Sequence, residues 1–315
     1  MRDDLVLVEQ EIAEQSSVAV EPVAEIGSYL LGGGGKRLRP ALLLLVARFC
    51  GYRGESAVRL GAVVELIHSA TLIHDDVIDG ADTRRGRPSA NSRWGNHMSV
   101  LAGDWLYMRS FELALRERNF RILDILIALT QNMVEGELIQ LAKLGRIDLT
   151  EQEAVELAFR KTACLFSGCT QLGAVLGRPD DRQEQAMLEY GRYAGLAFQL
   201  VDDLLDFTAS PEQLGKPVLS DLKEGKVTLP LIYALENGGS AGRKLIAAVL
   251  KEKGFQSVRP EQITALVEES GALDRARHLA QDYAGKAKAC VNGLGDPDYR
   301  NALIAVPDFI LARDS

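Results

Sequence analysis

Two acidic triads share one spacing: Asp75, Asp76 and Asp79 in HDDVIDG, and Asp202, Asp203 and Asp206 in QLVDDLLDF. Positions i and i+4 share a helix face, so Asp75 stacks with Asp79 and Asp202 with Asp206, about 6 Å apart. Like charges so placed repel, and a carboxylate in an apolar setting is costly unless a cation compensates it. Both settings are apolar, with Leu72, Ile73, Val77 and Ile78 around the first triad and Leu200, Val201, Leu204 and Leu205 around the second. A single DDxxD is most often a solvated helix face or an N-cap; a second copy in the same apolar frame argues for buried helices and a metal site. Oxygen ligands with no Cys or His set beside them point to Mg²⁺, which binds through one or two carboxylates together with substrate phosphates. The expectation is a phosphorylated ligand held between two helices.

A phosphate group needs cations that aspartates cannot supply, and the basic residues come in blocks beside glycine. GGGGKRLRP sets Lys36, Arg37 and Arg39 after four glycines and ahead of a helix that Pro40 can open. A helix N-terminus offers free N–H groups to an anion. The block is not a Walker loop, because Arg37 stands where GxxxxGK[ST] requires Ser or Thr. Arg84 and Arg85, in DTRRGRPSAN, follow Asp79 by five and six residues, and their planar forks suit phosphate oxygens. Lys216 and Lys226, in GKPVLSDLKEGK, follow the second triad across a loop. Taken singly, each block reads as a solvated loop.

The elements that must position these groups read as helices. Apolar residues recur at three and four over Ala41–Phe49, Ala57–His74, Ile122–Leu141, Glu151–Leu176 and Ala186–Phe207, with no sustained β alternation. Glycine and proline break the chain at Gly32–Gly35, Pro40, Gly80, Gly86–Pro88, Gly177–Pro179, Pro211–Pro217 and Gly238–Gly239. No Ser-rich or charged linker divides it. The pattern predicts one all-α domain over residues 1–315, a bundle of ten or more helices around a central cavity, with the triads turned inward.

Composition agrees: 315 residues, 47% apolar, net charge −8. An acidic total excludes a general nucleic-acid binder, which needs a basic surface. MRDDLVLVEQ is acidic where a signal peptide is basic, and the longest aliphatic run, Ala41–Ala47, is too short to span a bilayer, so a cytoplasmic protein is expected. Cys50, Cys164, Cys169 and Cys290 form no CxxC pair and read as reduced packing residues. His68 and His74 flank the first triad; His97 and His278 have no motif context.

In order and spacing, GGKRLRP, HDDVID with RRGRP, KT at Lys161 and Thr162, QLVDDLLDF and GKPVLSDLKEGK resemble the trans-prenyl diphosphate synthase family, in particular its long-chain, octaprenyl-like members. The resemblance implies an all-α isoprenoid-synthase fold, usually a homodimer, with two or three Mg²⁺ ions. Its members add isopentenyl diphosphate to an allylic diphosphate. Carried over, Asp75, Asp79 and Asp202 would hold Mg²⁺, with Asp76, Asp203 and Asp206 completing the acidic lining. Arg84, Lys161, Lys216 and Lys226 would grip the allylic diphosphate, and Lys36, Arg39, His68 and Arg85 the isopentenyl diphosphate. Thr162 and Gln199 would sit beside the reacting carbons.

The expected chemistry is ionisation of the allylic C–O bond, attack by the alkene and loss of a proton, with water excluded. Thr71 and Ala70 lie four and five residues before Asp75, roughly 6 to 7.5 Å deeper along the helix at 1.5 Å per residue. In the family, bulky aromatics there give short products. These two are small, so the tail would continue past Ile67, with Leu126 a candidate floor and a long all-trans product. The alternatives are a class I terpene cyclase and a subunit of a heteromeric synthase that needs a partner. No nucleic acid and no stable membrane insertion are expected.

Overall fold

Apolar residues at three- and four-residue intervals become helices nearly wherever the chain carries them. The structure is a computed structural model that describes residues 1–16, 21–31, 35–84, 86–209 and 218–313, with the side chains of residues 22, 23 and 31 left aside. Arg85, Lys216, the first glycines of GGGGKRLRP and the 211–217 break therefore lie outside the described residues.

The helices are α1 (Arg2–Ser16), α2 (Glu21–Leu31), α3 (Leu38–Phe49), α4 (Ser56–Ile78), α5 (Ala90–Leu115), α6 (Phe120–Lys143), α7 (Glu151–Ala158), α8 (Cys164–Leu176) and α9 (Asp181–Thr208). There follow α10 (Ser220–Lys223), α11 (Leu229–Asn237), α12 (Gly239–Glu252), α13 (Pro260–Glu269), α14 (Ala272–Cys290) and α15 (Pro297–Leu311). Three features depart from the sequence reading. A ribbon pairs β1 (Thr83–Arg84) with β2 (Arg87–Pro88), in strands too short to show alternation. The Glu151–Leu176 stretch is not one regular helix: a π turn at Phe159–Ala163 separates α7 from α8. Gly95, at φ 80°, kinks α5.

The contacts divide the chain into two units. The first comprises residues 1–130, 165–188 and 291–303. Its α4 packs chiefly on α5 and also on α3 and α1, and the core between them holds Leu43, Leu44, Val46, Leu60, Val63 and Leu66, all fully buried. The helix α3 starts at Leu38, so Pro40 falls in its first turn, where a missing N–H is harmless. The second unit comprises residues 131–164, 189–290 and 304–315. There α11 packs against α12, α13 and α14 around buried Leu231 and Tyr233.

Among the described residues one helix, α4, is long and apolar enough to cross a membrane by composition, although its apolar residues form no long unbroken run; 61% of the qualifying window is buried within the protein, as suits a core helix. The four cysteines are free thiols, and burial pushes Cys50 up to about 12 and Cys290 up to about 11, so neither is a thiolate at neutral pH.

Candidate active site

In the first unit, the last turn of α4 carries the first triad and treats its members differently. Asp76 is 1% exposed and accepts a hydrogen bond from Arg84 Nε at 2.6 Å. Burial raises the Asp76 carboxyl above the ordinary range, the Arg84 guanidinium pulls it back, and Asp79 pushes it up again. The β ribbon is what returns Arg84 to α4. Asp75 is half-buried, and Asp79, the C-cap of α4, is exposed.

A cavity of about 50 Å³ beside them is lined by Arg37, Glu65, His68, Asp76, Arg84 and Arg87 among others. His68 Nε2 lies 3.1 Å from Arg39 Nη1 and so accepts, which leaves its proton on Nδ1. Arg39 also lies over the Phe166 ring, 5.1 Å from its centre. The first contact joins the GGGGKRLRP block to α4 and the second joins it to α8. Arg37 is different: it sits at φ 45°, a left-handed conformation, and is ion-paired with buried Glu65 at 2.7 Å and with Glu9. It ties the block to α1 and α4. Lys36 is exposed.

His74 is also structural in its contacts. Its Nε2 lies 3.1 Å from the Val100 carbonyl oxygen and 3.5 Å from Asp104, and a Cβ at Gly103 would stand 2.2 Å from that nitrogen. Of the chain-length candidates, Ile67, Ala70 and Leu126 are fully buried, and Thr71 is half-buried with Oγ1 donating to the His68 carbonyl at 2.8 Å. None of the four lines this cavity.

In the second unit, a cavity of about 150 Å³ is lined by Lys161, Gln199, Asp203, Asp221, Lys226 and Thr228, among others. At about 30 Å³ per water it has room for about five waters, enough for a phosphate group. Lys161 and Thr162 are delivered by the π turn, a local widening common at functional sites. Its neighbour is Gly136 on α6, where a Cβ would lie 2.7 Å from Arg160 Cβ and 3.1 Å from the Lys161 amide nitrogen. Lys161 Nζ donates to Glu137 at 2.9 Å, and Lys226 Nζ to Glu224 at 2.7 Å.

A hydrogen-bond relay crosses the site. Thr162 Oγ1 donates to Gln199 Oε1 at 2.6 Å, and Gln199 Nε2 donates to Asp203 Oδ1 at 2.8 Å. Burial, the Asp221 carboxylate and the other two aspartates of the triad hold Asp203 well above the ordinary carboxyl range; the Gln199 hydrogen bond opposes them. Asp206, 1% exposed, accepts from Ser220 N at 3.2 Å, Ser220 Oγ at 3.0 Å and Asp221 N at 3.3 Å. It thereby anchors the start of α10, which carries Asp221, and the segment after it that carries Lys226. Asp202 is ion-paired with Arg313 at 3.0 Å, and its side chain remains 43% exposed.

Asp75, Asp79 and Asp202 are thus the triad members that reach solvent, while Asp76, Asp203 and Asp206 are buried and held by hydrogen bonds. Among the described residues no three acidic, His or Cys side chains form a ready metal cage. Sequence reasoning missed Asp221, Thr228, Glu137 and Arg313. Asp221 lies inside the SDLKEGK block and was within reach; the others carry no local signal.

Residues 20–268 match the polyprenyl synthetase family model, and the chain belongs to that family. Over 311 residues it is 38% identical to an octaprenyl diphosphate synthase of Escherichia coli (strain K12), covering 99% of this chain and 96% of the relative. The crystal structure of a polyprenyl synthase from Caulobacter crescentus CB15, complexed with calcium and isoprenyl diphosphate, matches with a TM-score of 0.95 at 36% identity, covering 100% of this chain and 96% of the other. A decaprenyl diphosphate synthase from Rhodobacter capsulatus matches with a TM-score of 0.94 at 37% identity, covering 100% of this chain and 97% of the other. The fold is the all-α fold of the isoprenyl synthases, and the protein is an enzyme that transfers prenyl groups.

Proposed function

We propose that the protein condenses isopentenyl diphosphate with an allylic prenyl diphosphate, releases diphosphate and makes a long-chain all-trans polyprenyl diphosphate. The observation that carries this is the division within the triads: Asp75, Asp79 and Asp202 reach solvent, and the other three carboxylates are each tied into the scaffold. Asp75, Asp79 and Asp202 are the ligands of Mg²⁺ in this reading, supported by the calcium and isoprenyl diphosphate of the Caulobacter relative. Bound metal supplies Lewis-acid stabilisation of the departing diphosphate.

The side chains do the rest. Lys161 and Lys226, with Arg84, Arg85 and Lys216, neutralise the allylic diphosphate; Lys161 and Lys226 exchange their glutamate partners for phosphate oxygens, while Arg84 keeps Asp76 through Nε and turns its Nη groups to phosphate. Lys36, Arg39, His68 and Arg85 hold isopentenyl diphosphate. The oxygens of Thr162 and Gln199 turn their dipoles toward the developing allylic cation. Asp76, Asp203 and Asp206 are positioning residues. Ile67, Ala70, Thr71 and Leu126 bound the growing tail.

Residues 1–315 act as one polyprenyl synthetase domain, a reading supported by a family match that draws on both units. The enzyme works in the cytoplasm as a homodimer without membrane insertion. The dimer reading is supported by exposed apolar side chains at seven-residue spacing, with Leu101, Met108 and Leu115 on α5 and Ile127, Val134 and Leu141 on α6. Product analysis by mass spectrometry tests the function. Purified protein with Mg²⁺, isopentenyl diphosphate and farnesyl diphosphate should give a long polyprenyl diphosphate, and Asp75→Ala should lower the rate by about 100-fold or more, the scale set by losing one transition-state electrostatic contact. Conversion of farnesyl diphosphate without isopentenyl diphosphate would point to a cyclase; no elongation from any allylic primer would point to a missing partner subunit.

A further inference from the structure

Thr228 stands at the N-cap of α11 and does not cap it. Its backbone is extended, φ −84° and ψ 170°, as an N-cap requires, yet its side chain accepts nothing from the first turn. The sequence explains half of this: Pro230 occupies the second helical position, which removes one of the two amides an N-cap Thr normally serves. The other half is direction. Thr228 Oγ1 is buried without a hydrogen-bond partner, and Thr228 lines the 150 Å³ cavity beside Lys161, Lys226 and Gln199. Its neighbours Val227, Leu229 and Leu231 are all buried. A hydroxyl is costly to bury unsatisfied, and Val would fill the same space without the cost.

We infer that Thr228 is a further substrate-binding residue, whose hydroxyl donates a hydrogen bond to a diphosphate oxygen in this cavity. The inference rests on the reading of the cavity as a diphosphate site. The anion class follows from the surroundings: three lysines, Lys143, Lys161 and Lys226, line the same space against two carboxylates, Asp203 and Asp221, and the first turn of α11 adds its partial positive charge. Both the allylic substrate and released diphosphate carry the group recognised. Lys226 and Thr228 would then act as a pair two residues apart on one extended segment, the ammonium supplying charge and the hydroxyl a fixed direction.

The test uses Thr228→Val, which keeps the shape, and Thr228→Ser, which keeps the hydroxyl. Calorimetric titration with farnesyl thiolodiphosphate, which does not ionise readily, reads substrate binding in the presence of Mg²⁺; titration with inorganic diphosphate reads the product. A hydrogen bond to a charged group corresponds to about 10- to 100-fold in affinity, so Thr228→Val should weaken both ligands by that factor, and Thr228→Ser should bind within about threefold of wild type. The ligand-free melting temperature of Thr228→Val should equal or exceed that of wild type, because an unsatisfied hydroxyl has gone. Wild-type affinity in Thr228→Val, or a lowered ligand-free melting temperature that Thr228→Ser restores without restoring affinity, overturns the assignment alone. A wild-type protein that binds neither ligand overturns the diphosphate reading of the cavity as well.

Discussion

Gln199→Glu changes one atom of the relay and turns it into a pH-dependent element. The introduced carboxylate would still accept from Thr162, as Gln199 Oε1 does at 2.6 Å. When ionised it could no longer donate to Asp203, whose carboxylate lies 2.8 Å from Gln199 Nε2. Two unit charges at 2.8 Å repel by about 6 kcal/mol at an effective dielectric constant of about 20, which pushes the carboxyl pair further up. The pair therefore retains one shared proton through neutral pH, on top of the burial and the Asp221 charge that already hold Asp203 above its ordinary range. With that proton the hydrogen bond survives, and the variant should come nearest to wild type at the acid end of the range. A carboxyl pair whose folded pKa exceeds its unfolded value binds more protons when folded, so stability is present at low pH and is lost as pH rises through the folded value. Wild type has the same sign with smaller amplitude, because Gln199 stabilises the Asp203 carboxylate. Turnover and melting temperature measured from about pH 6 to about pH 9 should both fall in Gln199→Glu relative to wild type, with kcat lower by about 10-fold or more at the alkaline end, equivalent to about 1.4 kcal/mol. Gln199→Leu should lose activity with little added pH dependence. Parallel profiles for wild type and Gln199→Glu would refute the relay.

Three further expectations follow from packing and charge. Gly136→Ala puts a methyl against Arg160 Cβ at 2.7 Å and should cost about 1–3 kcal/mol of stability, with kcat lowered more than KM is raised because the π turn that carries Lys161 and Thr162 must shift; denaturant unfolding and steady-state kinetics read the two. Arg313→Gln frees Asp202 from a 3.0 Å ion pair and should lower the half-saturating Mg²⁺ concentration several-fold, both in activity and in metal-induced thermal stabilisation; an unchanged or raised value would show that the pair does not compete with metal. Ala70→Tyr should shorten the polyprenyl product, read by mass spectrometry, and should also lower the melting temperature, since Ala70 is fully buried; an unchanged product would dispose of the tunnel below Asp75.

The chemistry of the site was more legible in the sequence than its mechanics, and the reason is physical. Six aspartates in apolar helices violate a packing rule, and a violated rule is visible without coordinates. How each violation is resolved depends on partners far away in the chain or on backbone geometry that the side-chain pattern does not encode. Asp76 is answered by Arg84 across a two-residue strand pair, Asp206 by two amides and a hydroxyl of the next segment, and Asp202 by Arg313 more than a hundred residues on. The π turn is hidden for a related reason: an inserted residue leaves the three-and-four periodicity of Glu151–Leu176 intact on either side. Thr228 lies between these cases. A Thr ahead of Leu-Pro-Leu reads as an ordinary N-cap, and the absent cap bond emerges only from where its hydroxyl lies. Periodicity locates faces and rule-breaking locates chemistry, but the division of six like carboxylates into three that reach solvent and three that are tied down is a property of the folded chain. That division decides which substitutions should cost metal and which should cost shape: Asp75→Ala should lower metal-dependent turnover by about 100-fold or more in a protein that still melts like wild type, while Asp206→Ala should loosen α10 and the segment bearing Lys226 before it touches metal.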